Sequence, residues 1–131
     1  GNVILFYGEI GVGKTTFIKF LVNSLEKIDK KNISEITSPT FSLMNQYKLN
    51  KFDIHHYDLY RLKSEKDILS LNIFEDISDK IVLIEWPEIL GEHKPRNTID
   101  INFEYGENFN SRYLTISAYE KLKIFDEFKS L

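Results

Sequence analysis

The sequence predicts an α/β fold with a mainly parallel central sheet, flanked by helices and extended by antiparallel hairpins. Two continuous apolar runs, Val3–Tyr7 and Ile81–Ile84, are typical of parallel strands covered on both faces. The first run leads directly into Gly8–Thr15, which matches the phosphate-binding pattern Gly-x-x-x-x-Gly-Lys-(Ser/Thr) at every position. A helical apolar pattern follows this loop, and the strand, loop and helix together indicate a P-loop NTPase fold.

The elements of the first half follow in order. The helix after the loop is predicted from apolar residues at helical spacing, namely Phe17, Ile18, Leu21, Val22, Leu25 and Ile28. The polar stretch 29–32 ends this helix, and a short strand is predicted over Ile33–Thr37. Phe41–Tyr47 and Asp53–Tyr57 are rich in β-forming residues and are separated by a short polar loop, so they predict a hairpin.

The second half alternates in the same way. Ser64, three residues before Asp67, resembles a capping box that begins a short helix. The Ile81–Ile84 strand comes next, and Thr98–Tyr105 with Arg112–Ala118 predicts a second hairpin. A closing helix at the C-terminus is predicted from Leu122, Phe125 and Phe128.

Length and composition limit the class of protein. The 131 residues are expected to form one domain that covers 1–131. The formal net charge of −3 argues against a general nucleic-acid surface, and the absence of cysteine excludes disulfides and thiolate metal sites. The sequence contains neither a membrane-spanning apolar stretch nor a signal peptide, so we expect a cytoplasmic protein with no membrane partner.

The phosphate loop predicts how a nucleotide would be held. Glycines at 8, 11 and 13 allow positive φ angles and let the backbone amides approach a phosphate closely. The positive end of the following helix favours the same anion. Lys14 would contact the β- and γ-phosphates, the Thr15 hydroxyl would ligate Mg²⁺, and Thr16 would hydrogen-bond the α-phosphate.

Other clusters supply candidate catalytic residues. Glu85 ends the second apolar strand, where an acidic residue either ligates Mg²⁺ or polarises an attacking water. Asp58 ends another predicted strand and would accept a hydrogen bond from such a water, while Thr40 lies in a loop suited to sensing the γ-phosphate. On residue type alone, His56 is as compatible with a position in the core as with a role in the site. Glu85 is also compatible with an ordinary charged strand end, and Thr40 with a turn. Asp58, Glu85 and Thr40 are thus the candidate catalytic residues.

The clusters also occur in a characteristic order. Gly8–Thr16, Ser38-Pro39-Thr40-Phe41, His56–Arg61 and Ile84–Pro87 together resemble the bacterial TsaE (YjeE) family, over nearly the whole chain. That family comprises small P-loop ATPases required for threonylcarbamoyladenosine (t6A) modification of tRNAs that read codons beginning with A. The resemblance implies a role beside the TsaB and TsaD proteins, in which TsaD modifies adenosine 37 and TsaE hydrolyses ATP to support repeated turnover. tRNA would be contacted only indirectly, through the complex.

The resemblance also implies roles for individual residues. Thr15 and Glu85 would be the Mg²⁺ ligands, Thr40 would belong to a switch-like loop, and Asp58 would lie near the γ-phosphate. Residues that would contact ATP are Gly8, Glu9, Gly11, Val12, Gly13, Lys14, Thr15, Thr16 and Arg112. Family members usually carry an N-terminal strand and helix before the first P-loop strand, and we expect this chain to lack them, together with part of the adenine pocket.

Two other functions share the loop. A small-molecule or nucleoside kinase needs clustered arginines, whereas Arg61, Arg96 and Arg112 are widely scattered. A nucleotide-gated binding module without hydrolysis would use the loop as a conformational switch. The guanine-reading Asn/Thr-Lys-x-Asp pattern of GTPases is absent, so ATP is favoured by elimination and by the resemblance.

Overall fold

The computed structural model describes residues 2–39, 43–108 and 110–118. The strands are Asn2–Tyr7 (β1), Met44–Lys48 (β2), Asp53–Asp58 (β3), Lys80–Glu85 (β4), Thr98–Tyr105 (β5) and Arg112–Ala118 (β6). The helices are Lys14–Ile28 (α1) and Glu65–Ser70 (α2), and a 3₁₀ segment covers Pro87–His93. The strands form one sheet in the order β2-β3-β4-β1-β5-β6.

The four central strands of this sheet, β3, β4, β1 and β5, are parallel. The two edge strands, β2 and β6, are antiparallel to their neighbours and are joined to them as hairpins. Across the parallel strands, Glu85 pairs in register with Asp58 on one side and with Phe6 on the other. The carboxyl ends of β1, β3 and β4 therefore meet at one edge, where ligands bind in open α/β sheets. The predicted fold class is confirmed.

Both faces of the central strands are buried, as their continuous apolar sequences predict. One face, with Phe6, Ile54, Leu83 and Ile101, packs against Ile18 and Val22 of α1. The opposite face, with Leu5, Val82 and Ile84, packs against Ile68 of α2 and Leu90 of the 3₁₀ segment. Because side chains alternate along a strand, residues 54, 56 and 58 of β3 share the α1 face with residues 83 and 85 of β4. The alternation of side chains along each strand therefore decides which polar residues can meet at the site.

Most predicted elements have the expected bounds. Helix α2 begins after Ser64, whose Oγ accepts a hydrogen bond from the Asp67 amide at 3.4 Å, so the predicted cap is confirmed. Strands β5 and β6 have the predicted limits. Strand β2 begins at Met44 instead of residue 41, since Leu43 has a φ of 67°, which a strand cannot contain. Residues 40–42 and the predicted closing helix lie outside the described residues.

The predicted strand Ile33–Thr37 is wrong. Residues 31–39 have no regular secondary structure. The reason is a contact with the preceding helix: the carboxylate of Glu26, buried on α1, accepts hydrogen bonds from both the backbone amide and the hydroxyl of Ser34. The carbonyl of Thr37 accepts from the Asn45 side chain instead of a neighbouring strand. Backbone groups that a sheet would use are therefore satisfied by side chains.

Candidate active site

The phosphate loop connects β1 to α1 in a conformation that requires glycine. Gly8, Gly11 and Gly13 have φ angles of 146°, 78° and 113°. A Cβ atom on Gly8 would lie 2.9 Å from Val12 Cγ1 and 3.0 Å from the Phe103 carbonyl oxygen. Gly13 precedes the first residue of α1 and provides no side-chain cap, so the first amides of the helix stay available to an anion.

A cleft of about 370 Å³ opens in front of this loop. Its walls come from the loop, from the segment before Pro39, and from the carboxyl ends of β3 and β4. The polar and aromatic residues that line it are Lys14, Thr15, Thr16, Ser38, Asp58, Tyr60, Glu85 and Trp86. We refer to this space as the site cleft. Residues from four separate clusters of the sequence thus surround a single cavity.

Lys14 is held inside the site cleft by two contacts. Its Nζ donates a hydrogen bond to the Gly8 carbonyl at 2.6 Å and lies 3.5 Å from the centroid of the Trp86 ring. The Tyr60 ring packs against Trp86, with centroids 4.9 Å apart. Burial lowers the pKa of Lys14, and the nearby carboxylates of Glu85, Glu88 and Asp58 oppose that shift. The cation is thus placed in the cavity with aromatic and carbonyl partners that an anion can replace.

Glu85 is buried at the end of β4, and its two carboxylate oxygens have different partners. Oε1 accepts a hydrogen bond from the Thr15 hydroxyl at 3.0 Å. Oε2 lies 2.8 Å from Nε2 of His56 and 3.5 Å from the Ser38 hydroxyl. The carboxylate therefore joins the phosphate loop to β3 and to the segment before Pro39.

Asp58 is buried next to Glu85, at the end of β3. Its Oδ2 accepts a hydrogen bond from the Ser38 hydroxyl at 2.6 Å, and its Oδ1 accepts one from the Tyr60 amide at 3.0 Å. These bonds restrict the orientation of the carboxylate. The edge of the sheet thus presents two neighbouring acids on one face, with Ser38 between them.

Arg112 reaches the phosphate loop from β6. Its Nε donates a hydrogen bond to the Val12 carbonyl at 3.1 Å, and its guanidinium lies 4.2 Å from the Tyr105 ring centroid. A second, more apolar cavity of about 670 Å³ adjoins the loop here. Its side-chain walls are Thr16, Phe17, Phe20, Phe103, Asn110, Arg112 and Leu114. We call this cavity the lateral groove.

Comparisons with known proteins identify the family and the fold. A family model described as "Threonylcarbamoyl adenosine biosynthesis protein TsaE" matches residues 1–114. The chain belongs to the TsaE family. This family functions in the biosynthesis of threonylcarbamoyladenosine in tRNA.

Two relatives show the extent of the similarity. The chain is 37% identical to the tRNA threonylcarbamoyladenosine biosynthesis protein TsaE of Rickettsia conorii, over 92% of this chain and 66% of the relative. It is 38% identical to the protein of the same description from Nostoc sp., over 91% of this chain and 72% of the relative. The chain thus spans about two thirds of the length of the first of these relatives.

One solved structure has the same fold. The crystal structure of Bacillus subtilis YdiB superposes with a TM-score of 0.70 at 20% identity, covering 99% of this chain and 77% of that chain. At this identity the likeness concerns the fold alone. It supports the arrangement of the sheet around the phosphate loop.

The structure of this TsaE-family chain brings most of the sequence-predicted residues together. Lys14, Thr15, Asp58 and Glu85 line the site cleft. Gly11, Gly13 and Thr16 line it as well, whereas Gly8, Glu9 and Val12 do not. Val12 is buried and Glu9 is exposed. Thr40 lies outside the described residues. Arg112 contacts the back of the loop through the Val12 carbonyl.

Sequence reasoning assigned no role to three residues that the structure brings into the site. Ser38 bridges the two acids, Trp86 covers Lys14, and His56 contacts Glu85. The signal for Ser38 and Trp86 was proximity, because each lies within two residues of a predicted site residue. For His56 the signal was strand alternation, which puts it on the same face as Asp58.

Thr15 and Glu85 are the two residues of the site cleft that would hold a divalent cation, according to the sequence prediction. No group of three or more His, Cys, Asp or Glu side chains suited to a metal exists within residues 2–39, 43–108 and 110–118. The same residues include no helix that is long and apolar enough to cross a membrane. Thr15 and Glu85 provide a hydroxyl and a carboxylate oxygen 3.0 Å apart. Such a sparse oxygen set suits Mg²⁺, which takes most of its ligands from phosphates and water.

Proposed function

We propose that this TsaE-family chain is a Mg²⁺-dependent ATPase subunit that supports t6A modification of tRNA together with TsaB and TsaD. The observation that carries the proposal is the convergence of Lys14, Thr15, Asp58 and Glu85 on one cleft at the amino end of α1. A phosphate loop, a hydroxyl and carboxylate pair and a second acid are the parts that phosphoryl transfer to water requires. Residues 1–131 would form a single ATPase domain.

The phosphates would bind where Lys14 now lies. The loop amides and the start of α1 supply hydrogen-bond donors, and the Lys14 ammonium exchanges the Gly8 carbonyl and the Trp86 ring for phosphate oxygens. Thr15 and Glu85 would hold Mg²⁺, which neutralises charge on the phosphates when bound. Burial of Lys14 and Glu85 reduces solvent screening, so these interactions are stronger than they would be at the surface.

The second acid, Asp58, would orient the attacking water. Its carboxylate is restrained by Ser38 and by the Tyr60 amide, so it can accept a hydrogen bond from a water without reorganising. The water oxygen would form a bond to the γ-phosphorus while the bond from that phosphorus to the ADP oxygen breaks. The water proton would pass to a phosphate oxygen, giving ADP and inorganic phosphate. Thr40, in the segment that continues from Ser38, would respond to the γ-phosphate.

The lateral groove suits the nucleoside portion of ATP. It adjoins the phosphate loop at Gly11 and Gly13, and its walls are mainly apolar and aromatic. Phe20 is 70% exposed and Leu114 is 44% exposed, which leaves apolar surface available to a base. Arg112 would contact the nucleotide at the junction between the groove and the loop.

Loss of the phosphate contact tests this proposal directly. Lys14→Ala should lower ATP affinity by roughly 10- to 100-fold, the value of a charge-assisted hydrogen bond, while the protein remains folded. Lys27→Ala, at the exposed last turn of α1, is the matched control. Calorimetric titration with ATP measures the affinity, and phosphate release in a Mg²⁺ series measures turnover. Unchanged ATP affinity in folded Lys14→Ala would contradict the site.

Association with partners tests the role as a subunit. The ATP-bound protein should associate with a TsaB and TsaD complex more tightly than the nucleotide-free protein, and Thr40→Ala should reduce the difference. Size-exclusion chromatography in each nucleotide state gives the measurement. Equal association in all states would refute a nucleotide switch. Tight tRNA binding by the isolated chain would refute the indirect contact with tRNA.

A further inference from the structure

His56 is a polar side chain buried completely beneath the candidate site. It lies on β3, two residues before Asp58 and on the same α1 face of the sheet, with 0% of its surface exposed. Its Nε2 is 2.8 Å from Oε2 of Glu85. The contact joins residues that are 29 positions apart and belong to neighbouring parallel strands.

The chemistry of the two groups decides the direction of this contact. An ionised carboxylate can only accept a hydrogen bond, so beside the Glu85 carboxylate Nε2 would carry the hydrogen and donate it. The other ring nitrogen, Nδ1, is buried and has no hydrogen-bond partner within the described part of the chain. The Glu85 carboxylate is thus the one hydrogen-bond partner that the structure gives to the His56 ring among these residues.

Packing alone does not account for a histidine at this position. Burying a ring nitrogen without a partner costs free energy that leucine or phenylalanine would avoid, and Nδ1 of His56 is such an atom among the described residues. What histidine adds at this position is one N–H directed at Oε2. That donor leaves Oε1 facing the Thr15 hydroxyl.

We propose that His56 is a positioning residue that fixes the orientation of the Glu85 carboxylate. By holding Oε2, it keeps Oε1 beside Thr15, where the two oxygens would bind the cation. A hydrogen-bond partner behind a metal ligand typically changes metal affinity by about 10- to 100-fold when it is removed. This inference rests on the proposed function, because it needs Glu85 to act as a ligand.

The test measures how nucleotide affinity depends on Mg²⁺, independently of turnover. Titration calorimetry with ADP, and with the non-hydrolysable analogue AMP-PNP, is repeated from EDTA buffer through a Mg²⁺ series. His56→Leu removes the donor, whereas His56→Gln keeps an N–H at about the same reach. His56→Asn keeps an N–H that is one methylene too short. The matched control is His55→Leu, on the opposite face of the same strand, where the Nε2 atom is likewise buried without a partner among the described residues.

The expected result is a change confined to the cation. His56→Leu and His56→Asn should raise, by about 10- to 100-fold, the Mg²⁺ concentration that gives half of the Mg²⁺-dependent gain in nucleotide affinity. Nucleotide affinity in EDTA should stay within about threefold of the wild type. His56→Gln should restore the wild-type midpoint to within about fivefold, and His55→Leu should leave it unchanged. Thermal melting records whether each variant is folded. If His56→Leu does not fold, the comparison of Gln with Asn decides the question.

Contrary results are distinguishable. If the nucleotide affinity of the wild type does not depend on Mg²⁺, the cation site is overturned, and this inference with it. A normal wild-type response with equal midpoints in the wild type and folded His56→Asn would overturn the positioning role alone. Equal shifts in His56→Gln and His56→Asn, or a comparable shift in His55→Leu, would instead show a general effect of altering the β3 core and would also overturn it.

Discussion

Substitution of Gly8 should separate steric conflict from backbone strain in the phosphate loop. In Gly8→Ala, the new Cβ would lie 2.9 Å from Val12 Cγ1 and 3.0 Å from the Phe103 carbonyl oxygen, at a φ of 146°. The Phe103 oxygen belongs to the backbone of β5 and cannot rotate away. Gly13→Ala imposes a positive φ of 113° but meets no atom within 4 Å. Both variants carry the backbone strain of a positive φ, but only Gly8→Ala also brings its Cβ into steric conflict with neighbouring atoms.

The magnitudes follow from these distances. Alanine at positive φ costs about 1–2 kcal/mol, and forcing a methyl group into a packed region adds about 1–3 kcal/mol. Gly8→Ala should therefore lose about 2–5 kcal/mol of unfolding free energy, and Gly13→Ala about 1–2 kcal/mol. For a chain of this length, 1 kcal/mol corresponds to about 4 °C in Tm. We expect Tm to fall by about 8–20 °C in Gly8→Ala and by about 4–8 °C in Gly13→Ala.

Urea unfolding and thermal melting, both without nucleotide, give the two quantities. The m-value should be unchanged in both variants, which would show that only stability has changed. Equal losses in Gly8→Ala and Gly13→Ala would refute the reasoning, because close packing of the loop against β5 would then contribute nothing. A larger loss in Gly13→Ala would refute it as well.

Three further predictions concern the site cleft. Thr15→Ala and Glu85→Ala should each raise the Mg²⁺ concentration needed for phosphate release by at least about tenfold, with ADP affinity in EDTA preserved. If Glu85→Ala behaves as the wild type at limiting Mg²⁺, Glu85 is only a charged residue at a strand end. Asp58→Asn should lower turnover by about 100-fold with ADP affinity within about threefold, whereas parallel losses would indicate a structural role. Trp86 is the single tryptophan and contacts Lys14, so ADP binding should change the tryptophan fluorescence, and the Kd from this change should equal the calorimetric Kd. No change in fluorescence on ADP binding would contradict displacement of Lys14.

Much of the site could be predicted because its parts are local in sequence. The run of apolar residues before Gly8, the glycines and the helical pattern after Lys14 define a strand, a loop and a helix without long-range information. Glu85 directly follows the apolar run Ile81–Ile84, and Asp58 directly follows the β-rich segment Asp53–Tyr57, so both could be placed at strand ends from the sequence. Parallel strands then bring these ends to one edge, which the observed register of Asp58 with Glu85 bears out.

The incorrect strand over Ile33–Thr37 shows where local reasoning ends. Its residues have ordinary β-forming character, but the Ser34 amide is satisfied by Glu26 from the preceding helix. A carboxylate on a helix that competes for a strand amide leaves no periodic signal. The strand order of the sheet is likewise a property of the packed chain, since β1 lies between β4 and β5, which are distant from it in sequence.

The sequence by itself determined the phosphate loop, its flanking elements and the acids near it, because backbone propensity, apolar periodicity and glycine geometry act over a few residues. Only the tertiary structure decided which atoms meet. The Thr15 hydroxyl and Glu85 are 70 positions apart, and Arg112 reaches Val12 across 100. Such contacts depend on strand order and on the face that each residue occupies, so the division of Glu85 between Thr15 and His56 emerges only when the sheet is assembled.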